Sequence, residues 1–160
     1  TVQTSIGSSG SALRDAFSLP GMAVLQFGFG GGPNSPHLPH NHRERQVVYT
    51  GTHDNDTLLG FWRSAGDAVR RHARRYLGVR GGEAVVCAHL LRACLGSVAR
   101  LAVVPMQDLL GLSSEARTNV PGSPPGESWL WRLPGEALEA RRASGIRTLL
   151  ETYGRRLKNH

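Results

Sequence analysis

The sequence is poor in lysine and cysteine and has no long apolar run. Lys158 is the only lysine among 160 residues. No stretch of about 18 consecutive apolar residues occurs, and the first ten residues lack the basic and then apolar pattern of a secretory signal. These absences argue against a membrane-spanning helix and against secretion. They predict a soluble intracellular protein with no membrane partner.

The two cysteines, Cys87 and Cys94, are seven positions apart in a segment with helical periodicity. In a helix that spacing separates the two Cα atoms by about 10 Å, which is too far for a disulfide. The sequence therefore predicts two small core thiols in a reducing compartment.

Positive charge is in excess, since 19 basic residues stand against 12 acidic ones and the formal net charge is +7. Such an excess makes nucleic-acid binding a hypothesis to consider. The arginines, however, fall mainly on predicted helices, as at positions 70, 71, 74 and 75, and no aromatic residues alternate with them as stacking platforms. We interpret them as solvated helix faces and predict no nucleic-acid partner.

Short apolar runs alternate with segments of helical periodicity along the chain. The predicted strands cover residues 22–27, 47–50 and 101–104. The predicted helices cover 12–17, 57–77 and 83–98, and a last helix carries Ile146, Leu149, Leu150, Tyr153 and Leu157 on one face. Residues 1–11, rich in Ser, Gly and Thr, are predicted to be a disordered lead-in. This order indicates parallel βαβ units with helices covering a sheet.

Residues 50–57, with the sequence TGTHDNDT, follow the second predicted strand directly. Gly51 lets the chain turn, so His53 and Asp54 leave the sheet at its carboxyl edge. Asp56 is then placed to cap the next helix. On local grounds alone, an Asx-rich turn with a cap is the simpler interpretation. A site is indicated because other strand ends, such as Gln107-Asp108, meet the same edge in parallel sheets.

Six segments strengthen that second interpretation, because they occur in order and with consistent spacing. They are PGM at 20–22, VLQF at 24–27, LPHN at 38–41, VYTGTHDNDT at 48–57, QDLLG at 107–111 and SEARTN at 114–119. Together they resemble the 4-alpha-glucanotransferases, also called amylomaltases or, in plants and algae, disproportionating enzymes. The resemblance covers roughly residues 12–157, which makes it far more specific than a His-Asp pair.

The resemblance implies an α/β fold, namely the C-terminal portion of a (β/α)8 TIM barrel of the alpha-amylase superfamily type. The chain would hold the last three strands, at 22–27, 46–50 and 101–106, with their helices, so that residues 12–160 form the C-terminal part of the catalytic barrel. A complete barrel needs about 250 residues.

The resemblance also implies residue roles. Asp54 would be the catalytic carboxylate that stabilises the transition state, and His53, Asn55 and Asn119 would bind substrate. Substrates would be alpha-1,4-glucans and maltooligosaccharides, with glucose as an acceptor and no cofactor. Retaining transfer also needs a nucleophile and an acid/base. In the family both lie on earlier strands, and residues 1–10 contain no carboxylate. We therefore expect a C-terminal part that is inactive alone, or alternatively a non-catalytic alpha-glucan-binding fragment.

Three other features admit functional interpretations. The histidines at 37, 40, 42 and 53 suggest a metal site, but neither cysteine lies near them, and we predict no metal. The glycines at 28 and 30–32 do not form a phosphate cradle, because prolines and not a helix follow. Of Trp129 and Trp131, one is predicted to be core, and the other is left open between core and sugar stacking.

Asp15 and Glu44 fall in a predicted helix and a predicted loop, so neither can replace the missing carboxylates.

The ending at 153–157 resembles the plant and algal branch slightly more than the bacterial one. The plastid stroma is therefore the favoured location, with the bacterial cytoplasm as the alternative.

Overall fold

Three parallel strands form the centre of the structure. The computed structural model describes residues 8–124, 126–137 and 140–155. The strands are β1 (Gly21–Val24), β2 (Gln46–Tyr49) and β3 (Leu101–Val103), in the spatial order β1-β2-β3. Both pairs are parallel, with Met22 opposite Val47 and Val47 opposite Leu101. The predicted parallel arrangement is confirmed.

Helices connect and cover the strands. The α-helices are α1 (Ser8–Ala16), α2 (Leu58–Ser64), α3 (Asp67–Leu77), α4 (Glu83–Leu95), α5 (Met106–Leu110) and α6 (Ala140–Thr152). Short 3₁₀ helices cover Leu25–Gly28, Pro39–Asn41, Ser114–Ala116 and Gly135–Ala137. No helix in the described ranges is both long enough and apolar enough to cross a membrane.

The two faces of the sheet differ in burial. Ala23 and Val48 are fully buried and belong to the same core cluster as Trp62 of α2 and Leu90 of α4. Successive strand residues point to opposite faces. Met22 and Leu101 therefore lie on the other face, where they are 60% and 53% exposed. The helices cover one face of the sheet, and the other face presents apolar side chains to solvent.

Several predicted boundaries are wrong. The first strand ends at Val24, where the predicted strand would continue to residue 27, because the chain tightens into the 3₁₀ helix that follows. The predicted helix 57–77 is two helices, since Ala65 and Gly66 have extended backbone between α2 and α3. The helix predicted over residues 83–98 is α4, which ends at Leu95 with Gly96 after it.

The start of the chain also differs from expectation. Residues 8–11, predicted to be part of a disordered lead-in, belong to α1, which begins at Ser8 and not at residue 12. Residues 1–7 of that lead-in lie outside the described residues, as does Leu157 of the predicted last helical face.

The cysteines behave as predicted. Cys94 is fully buried, Cys87 is half-buried, and both are free thiols. Burial raises the pKa of Cys87 to about 11 and that of Cys94 to about 12. Both side chains are therefore protonated and unreactive near neutral pH.

Arg155 ties the C-terminal segment to the loop between α4 and β3. Its guanidinium donates hydrogen bonds to the carbonyls of Leu95 at 2.9 Å, Ser97 at 2.5 Å and Ala99 at 2.8 Å. We expect Arg155→Ala to lower the free energy of unfolding by about 2 kcal/mol, because half-buried carbonyls lose a charged donor. Urea denaturation measures this loss.

The matched control is the exposed Arg71, whose replacement by alanine should change the free energy of unfolding by less than about 0.5 kcal/mol. Arg155→Lys should recover only part of the loss, because an ammonium group lacks the planar fork that reaches several carbonyls. Equal unfolding curves for the Arg155→Ala and Arg71→Ala variants would contradict this role.

Candidate active site

The turn after β2 pushes His53 and Asp54 out of the fold. The backbone N–H of Asn55 donates to the Thr52 carbonyl at 3.1 Å. The Asn55 Oδ1 atom accepts from the Thr52 N–H at 2.9 Å and from the Thr52 hydroxyl at 2.8 Å. His53 and Asp54 lie between Thr52 and Asn55 in the turn. The side chain of His53 is 55% exposed and that of Asp54 is 51% exposed. A closed turn thus presents an imidazole and a carboxylate at the carboxyl edge of the sheet.

Gly51 is needed in this turn for close packing. Its φ is not in the left-handed region, so the turn does not demand glycine for conformational freedom. A Cβ at this position would instead lie 2.6 Å from the Gln26 side-chain nitrogen and 3.3 Å from the Asp56 carbonyl oxygen. The Gln26 amide donates to that carbonyl at 2.7 Å. A buried side chain from the 3₁₀ helix after β1 therefore holds the turn in place.

Two residues from a distant loop contact Asp54. Asn119 donates from Nδ2 to the Oδ1 atom of Asp54 at 2.6 Å. The guanidinium of Arg117 donates to the Asp54 backbone carbonyl at 3.0 Å. His53 places Nε2 at 3.3 Å from the same Oδ1 atom. Three of the four predicted site residues, His53, Asp54 and Asn119, are thus brought together, whereas the Asn55 oxygen is engaged in the turn itself.

Buried polar groups support the corner from beneath. Asp108 accepts from the Thr50 hydroxyl at 2.5 Å through Oδ2, and from the Leu58 backbone N–H at 2.7 Å through Oδ1. Asp108 is therefore a partner of the α2 amino terminus, although it follows β3. Gln107, beside it, donates to the Ala116 carbonyl and the Thr118 hydroxyl, both at 3.1 Å. Both residues were predicted to lie at this edge, whereas their supporting contacts join positions that no sequence pattern relates.

The cap of α2 is not the one expected from the sequence. Thr57 is the N-cap, and its hydroxyl accepts from the Gly60 N–H at 3.0 Å. Asp56 lies one residue before, where Oδ1 accepts from the Thr57 N–H and Oδ2 from the Ser114 hydroxyl, both at 2.8 Å. The prediction of Asp56 as the cap is wrong, because a threonine one residue later reaches the third helical N–H.

Burial and hydrogen bonding act in opposite directions on Asp108. Burial raises the pKa of this carboxyl above its ordinary value and dominates. The hydrogen bonds from Thr50 and Leu58 act to lower the same pKa, and the nearby Asp56 raises it slightly. The net pKa is raised, so the folded chain favours the protonated form of Asp108 more than the unfolded chain does.

The histidines of the preceding loop are engaged in local hydrogen bonds. Nδ1 of His37 accepts from the Val24 N–H at 3.1 Å, and Nε2 of His42 donates to the His37 carbonyl at 3.1 Å. His40 bridges the Tyr76 hydroxyl at 3.0 Å and the Pro33 carbonyl at 2.9 Å. Burial lowers the pKa of His37 and of His42. Over the described residues, no three His, Cys, Asp or Glu side chains are arranged to hold a metal ion.

The two tryptophans near the C-terminus depart from expectation. Trp129 is 57% exposed and lies against the His53 ring, with ring centroids 5.2 Å apart and planes tilted by 36°. Trp131 is only half-buried. Neither belongs to the buried core cluster, so the prediction that one of them is core is wrong.

Asp15 and Glu44 lie far from the corner. They line a cavity of about 680 Å³ together with Gly21 and Gln46, the first residues of β1 and β2. In a parallel sheet those residues mark the amino edge, whereas Asp54 follows a carboxyl end. The structure therefore places both carboxylates at the opposite edge from the candidate site.

A helix-covered parallel sheet with an exposed carboxylate and imidazole beyond its carboxyl edge is the arrangement of α/β enzymes, in which chemistry gathers at that edge. Comparison with known proteins narrows this class. The 4-alpha-glucanotransferase family model matches residues 6–138. The chain belongs to the 4-alpha-glucanotransferase family.

Individual relatives come from bacteria and plants. The 4-alpha-glucanotransferase of Thermus thermophilus is 50% identical over 151 residues, which cover 90% of this chain and 30% of the relative. The chloroplastic/amyloplastic enzyme of Arabidopsis thaliana is 46% identical over 147 residues, covering 89% of this chain and 25% of that protein. This chain thus spans about a quarter to a third of the length of these relatives.

A solved structure agrees with these relatives. The amylomaltase from Streptococcus agalactiae in complex with acarbose superposes with a TM-score of 0.86 at 29% sequence identity. The match covers 92% of this chain and 30% of that structure. The strands and helices described above are thus arranged as in part of an amylomaltase.

Proposed function

We propose that this chain is the C-terminal part of the (β/α)8 barrel of a 4-alpha-glucanotransferase and carries the Asp54 corner of its active site. The observation that carries the proposal is the contact between Asn119 and the Asp54 carboxylate, which joins the loop after β3 to the turn after β2. The enzyme would transfer a segment of an alpha-1,4-glucan to the 4-position of an acceptor glucose or glucan.

Asp54 is suited to stabilise the transition state. Glycosyl transfer with retention passes through an oxocarbenium-like state, and hydrogen bonds to sugar hydroxyls tighten in that state. A carboxylate held by Asn119 at 2.6 Å is oriented before the sugar arrives, so it costs little reorganisation. About half of the Asp54 side chain remains accessible to a substrate. His53 and Asn119, and less directly Asn55, would contact the glucan beside it.

The neighbouring carboxylates are unsuited to the remaining roles. Asp56 and Asp108 each use both carboxylate oxygens as acceptors around the start of α2. Neither is free to attack an anomeric carbon or to protonate a leaving group. The nucleophile and the acid/base would therefore come from the upstream part of the enzyme.

The uncovered face of the sheet supports the same proposal. Met22 and Leu101 are 60% and 53% exposed, and Val103 is 36% exposed, on strands that would line a barrel interior. Interior positions of such barrels are filled by layers of apolar side chains from all eight strands. The strands upstream of β1 would cover these residues.

The purified chain should not disproportionate maltotriose by itself, because it lacks a nucleophile and an acid/base. Chromatography of the products should show no glucose and no longer maltooligosaccharides above a buffer control. The positive control is a joined polypeptide, in which this chain replaces the matched stretch of the Thermus thermophilus relative. Transfer by the isolated chain would refute the proposed division of catalytic groups.

Binding of maltoheptaose, measured together with transfer by the joined polypeptide, distinguishes the proposed function from a non-catalytic glucan-binding role. If the chain alone binds this sugar saturably and the joined polypeptide shows transfer, the chain is part of an enzyme. If the chain binds and the joined polypeptide is folded but inactive, the chain is a non-catalytic glucan-binding fragment. Isothermal titration calorimetry and the product assay together give both answers.

For the location we propose the plastid stroma, with the bacterial cytoplasm as the alternative. The plant relatives from Arabidopsis thaliana and Solanum tuberosum are described as chloroplastic/amyloplastic. The bacterial relative from Thermus thermophilus is 50% identical, against 46% for each of these plant relatives. The genomic sequence around the coding region distinguishes the two.

A further inference from the structure

The exposed indole of Trp129 is the largest feature of the corner without an assigned role. It is 57% exposed, although a tryptophan normally buries most of its large apolar surface. Its ring lies against His53, the residue beside the carboxylate. An aromatic side chain held at the mouth of a polar site is a common way to build a ligand surface.

The backbone at Trp129 is held in an unfavourable conformation. Its φ is 66°, and Ser18 is the only other non-glycine residue with positive φ in the described part of the chain. A bulky residue pays a conformational cost there, and such strain persists where surrounding contacts impose it. The Trp129 N–H donates to the Thr118 carbonyl at 2.6 Å, which is one such contact.

One loop delivers both Trp129 and Asn119 to the corner. The bond between Trp129 and Thr118 closes the loop at its base, and the Ser128 hydroxyl accepts from the Val120 N–H at 3.2 Å. Asn119 then reaches the Asp54 carboxylate while Trp129 reaches the His53 ring. The loop therefore contacts the corner at two points, one polar and one aromatic.

We propose that Trp129 is a substrate-contacting residue that orients the His53 imidazole and offers its exposed indole surface to a sugar ring of the alpha-glucan. The C–H groups of a glucopyranose form an apolar face that packs on a flat aromatic ring, while its hydroxyls reach polar neighbours. His53, Asp54 and Asn119 supply those polar neighbours within one corner. This proposal rests on the proposed function, since it names a further contact of the same site.

The test uses the whole 160-residue chain and four variants, Trp129→Ala, Trp129→Phe, Trp129→Gly and Trp131→Ala. Titration with maltoheptaose should give a dissociation constant about five- to tenfold higher for Trp129→Ala, with partial recovery in Trp129→Phe. Trp131→Ala is the matched control two residues away and should bind within about twofold of the unchanged chain. Equal affinity of the Trp129→Ala variant and the unchanged chain would overturn the sugar contact.

An independent readout reports on His53 without any sugar. In ¹H–¹³C NMR spectra, Trp129→Ala should shift the His53 ring protons, because the ring current of the indole is lost, whereas Trp131→Ala should leave them in place. An unmoved His53 signal in Trp129→Ala would overturn the orienting role. If the unchanged chain binds no maltoheptaose, the sugar contact is overturned. Transfer by the joined polypeptide decides the proposed function separately, and the His53 shift still decides the ring contact.

The glycine variant separates binding from folding. Trp129→Gly removes the indole at a backbone conformation that glycine adopts without strain. It should therefore be at least as stable as Trp129→Ala in urea and should still bind maltoheptaose weakly. Affinity restored by Trp129→Gly would show that the backbone and not the indole matters, which would contradict the proposal.

Discussion

Asp54→Asn in the joined polypeptide is expected to lower kcat for maltotriose disproportionation by about 100- to 1,000-fold. An asparagine keeps the size and part of the hydrogen bonding of the carboxylate but removes its negative charge. That negative charge stabilises the transition state, in which positive charge develops at the anomeric carbon, more than it stabilises the bound substrate. KM should therefore change much less than kcat. Initial rates over a range of maltotriose concentrations separate the two parameters.

The control for this variant is Asp67→Asn, which also removes one negative charge, but from an exposed position at the start of α3. It should retain nearly the full rate. Asn119→Ala should fall between the two variants, because Asp54 would keep its charge and lose the partner that orients it. A kcat for Asp54→Asn within threefold of that for Asp67→Asn would refute the role of Asp54.

Asp108→Ala is expected to lower the free energy of unfolding of this chain by about 3 kcal/mol. The substitution leaves the Thr50 hydroxyl and the Leu58 N–H without their acceptor in a buried place, and each such loss costs about 1–3 kcal/mol. It also removes a carboxylate from the amino terminus of α2. Urea denaturation at neutral pH measures the loss, and Asp67→Ala at an exposed position is the matched control.

The pH dependence gives a second check on Asp108. Burial raises its pKa in the folded chain, so the folded state binds the proton more tightly than the unfolded state does. The extra stabilisation that comes from this tighter proton binding is complete below the ordinary aspartate pKa and is lost as pH rises through the raised pKa, whereas the hydrogen bonds to Thr50 and Leu58 remain. Asp108→Asn does not titrate. Its stability relative to the unchanged chain should therefore improve as pH rises through that window and then stay level.

Two outcomes would contradict this account of Asp108. One is a stability difference between Asp108→Asn and the unchanged chain that does not vary with pH. The other is an Asp108→Ala variant as stable as Asp67→Ala. The first result would mean that burial does not raise the pKa of Asp108 in the folded chain. The second would mean that the carboxylate does not hold the start of α2.

The sequence predicted those parts of the fold that depend on local patterns. Apolar runs and helical periodicity located the three strands and most helices, and parallel order followed from their alternation. No local pattern marks the end of β1, where the chain enters a 3₁₀ helix and the Val24 N–H donates to the His37 side chain, 13 residues away. The break at Ala65 and Gly66 has a local signal, since a glycine stands directly before Asp67. The apolar face that continues through residues 57–77 nevertheless favoured a single helix.

The candidate site also contains residues that the sequence pattern could locate and residues that it could not. His53 and Asp54 were located by their place after a strand, whereas the role of Asn119 came only from the resemblance. No periodicity relates residues that are 65 positions apart, so its contact with Asp54 needed the structure. Asp56 was chosen as the cap by a local rule that Thr57 satisfies better. Trp129 and Trp131 were not distinguished, because exposure and backbone conformation at a loop residue are tertiary properties.

The most direct test of the central claim is transfer by the joined polypeptide with isotopically labelled glucose as the acceptor. If this chain completes the active site of a 4-alpha-glucanotransferase, label from glucose should appear in maltose and longer maltooligosaccharides when unlabelled maltotriose is the donor. The isolated chain under the same conditions should incorporate none. A joined polypeptide that folds and binds maltoheptaose but leaves all label in free glucose would contradict the claim.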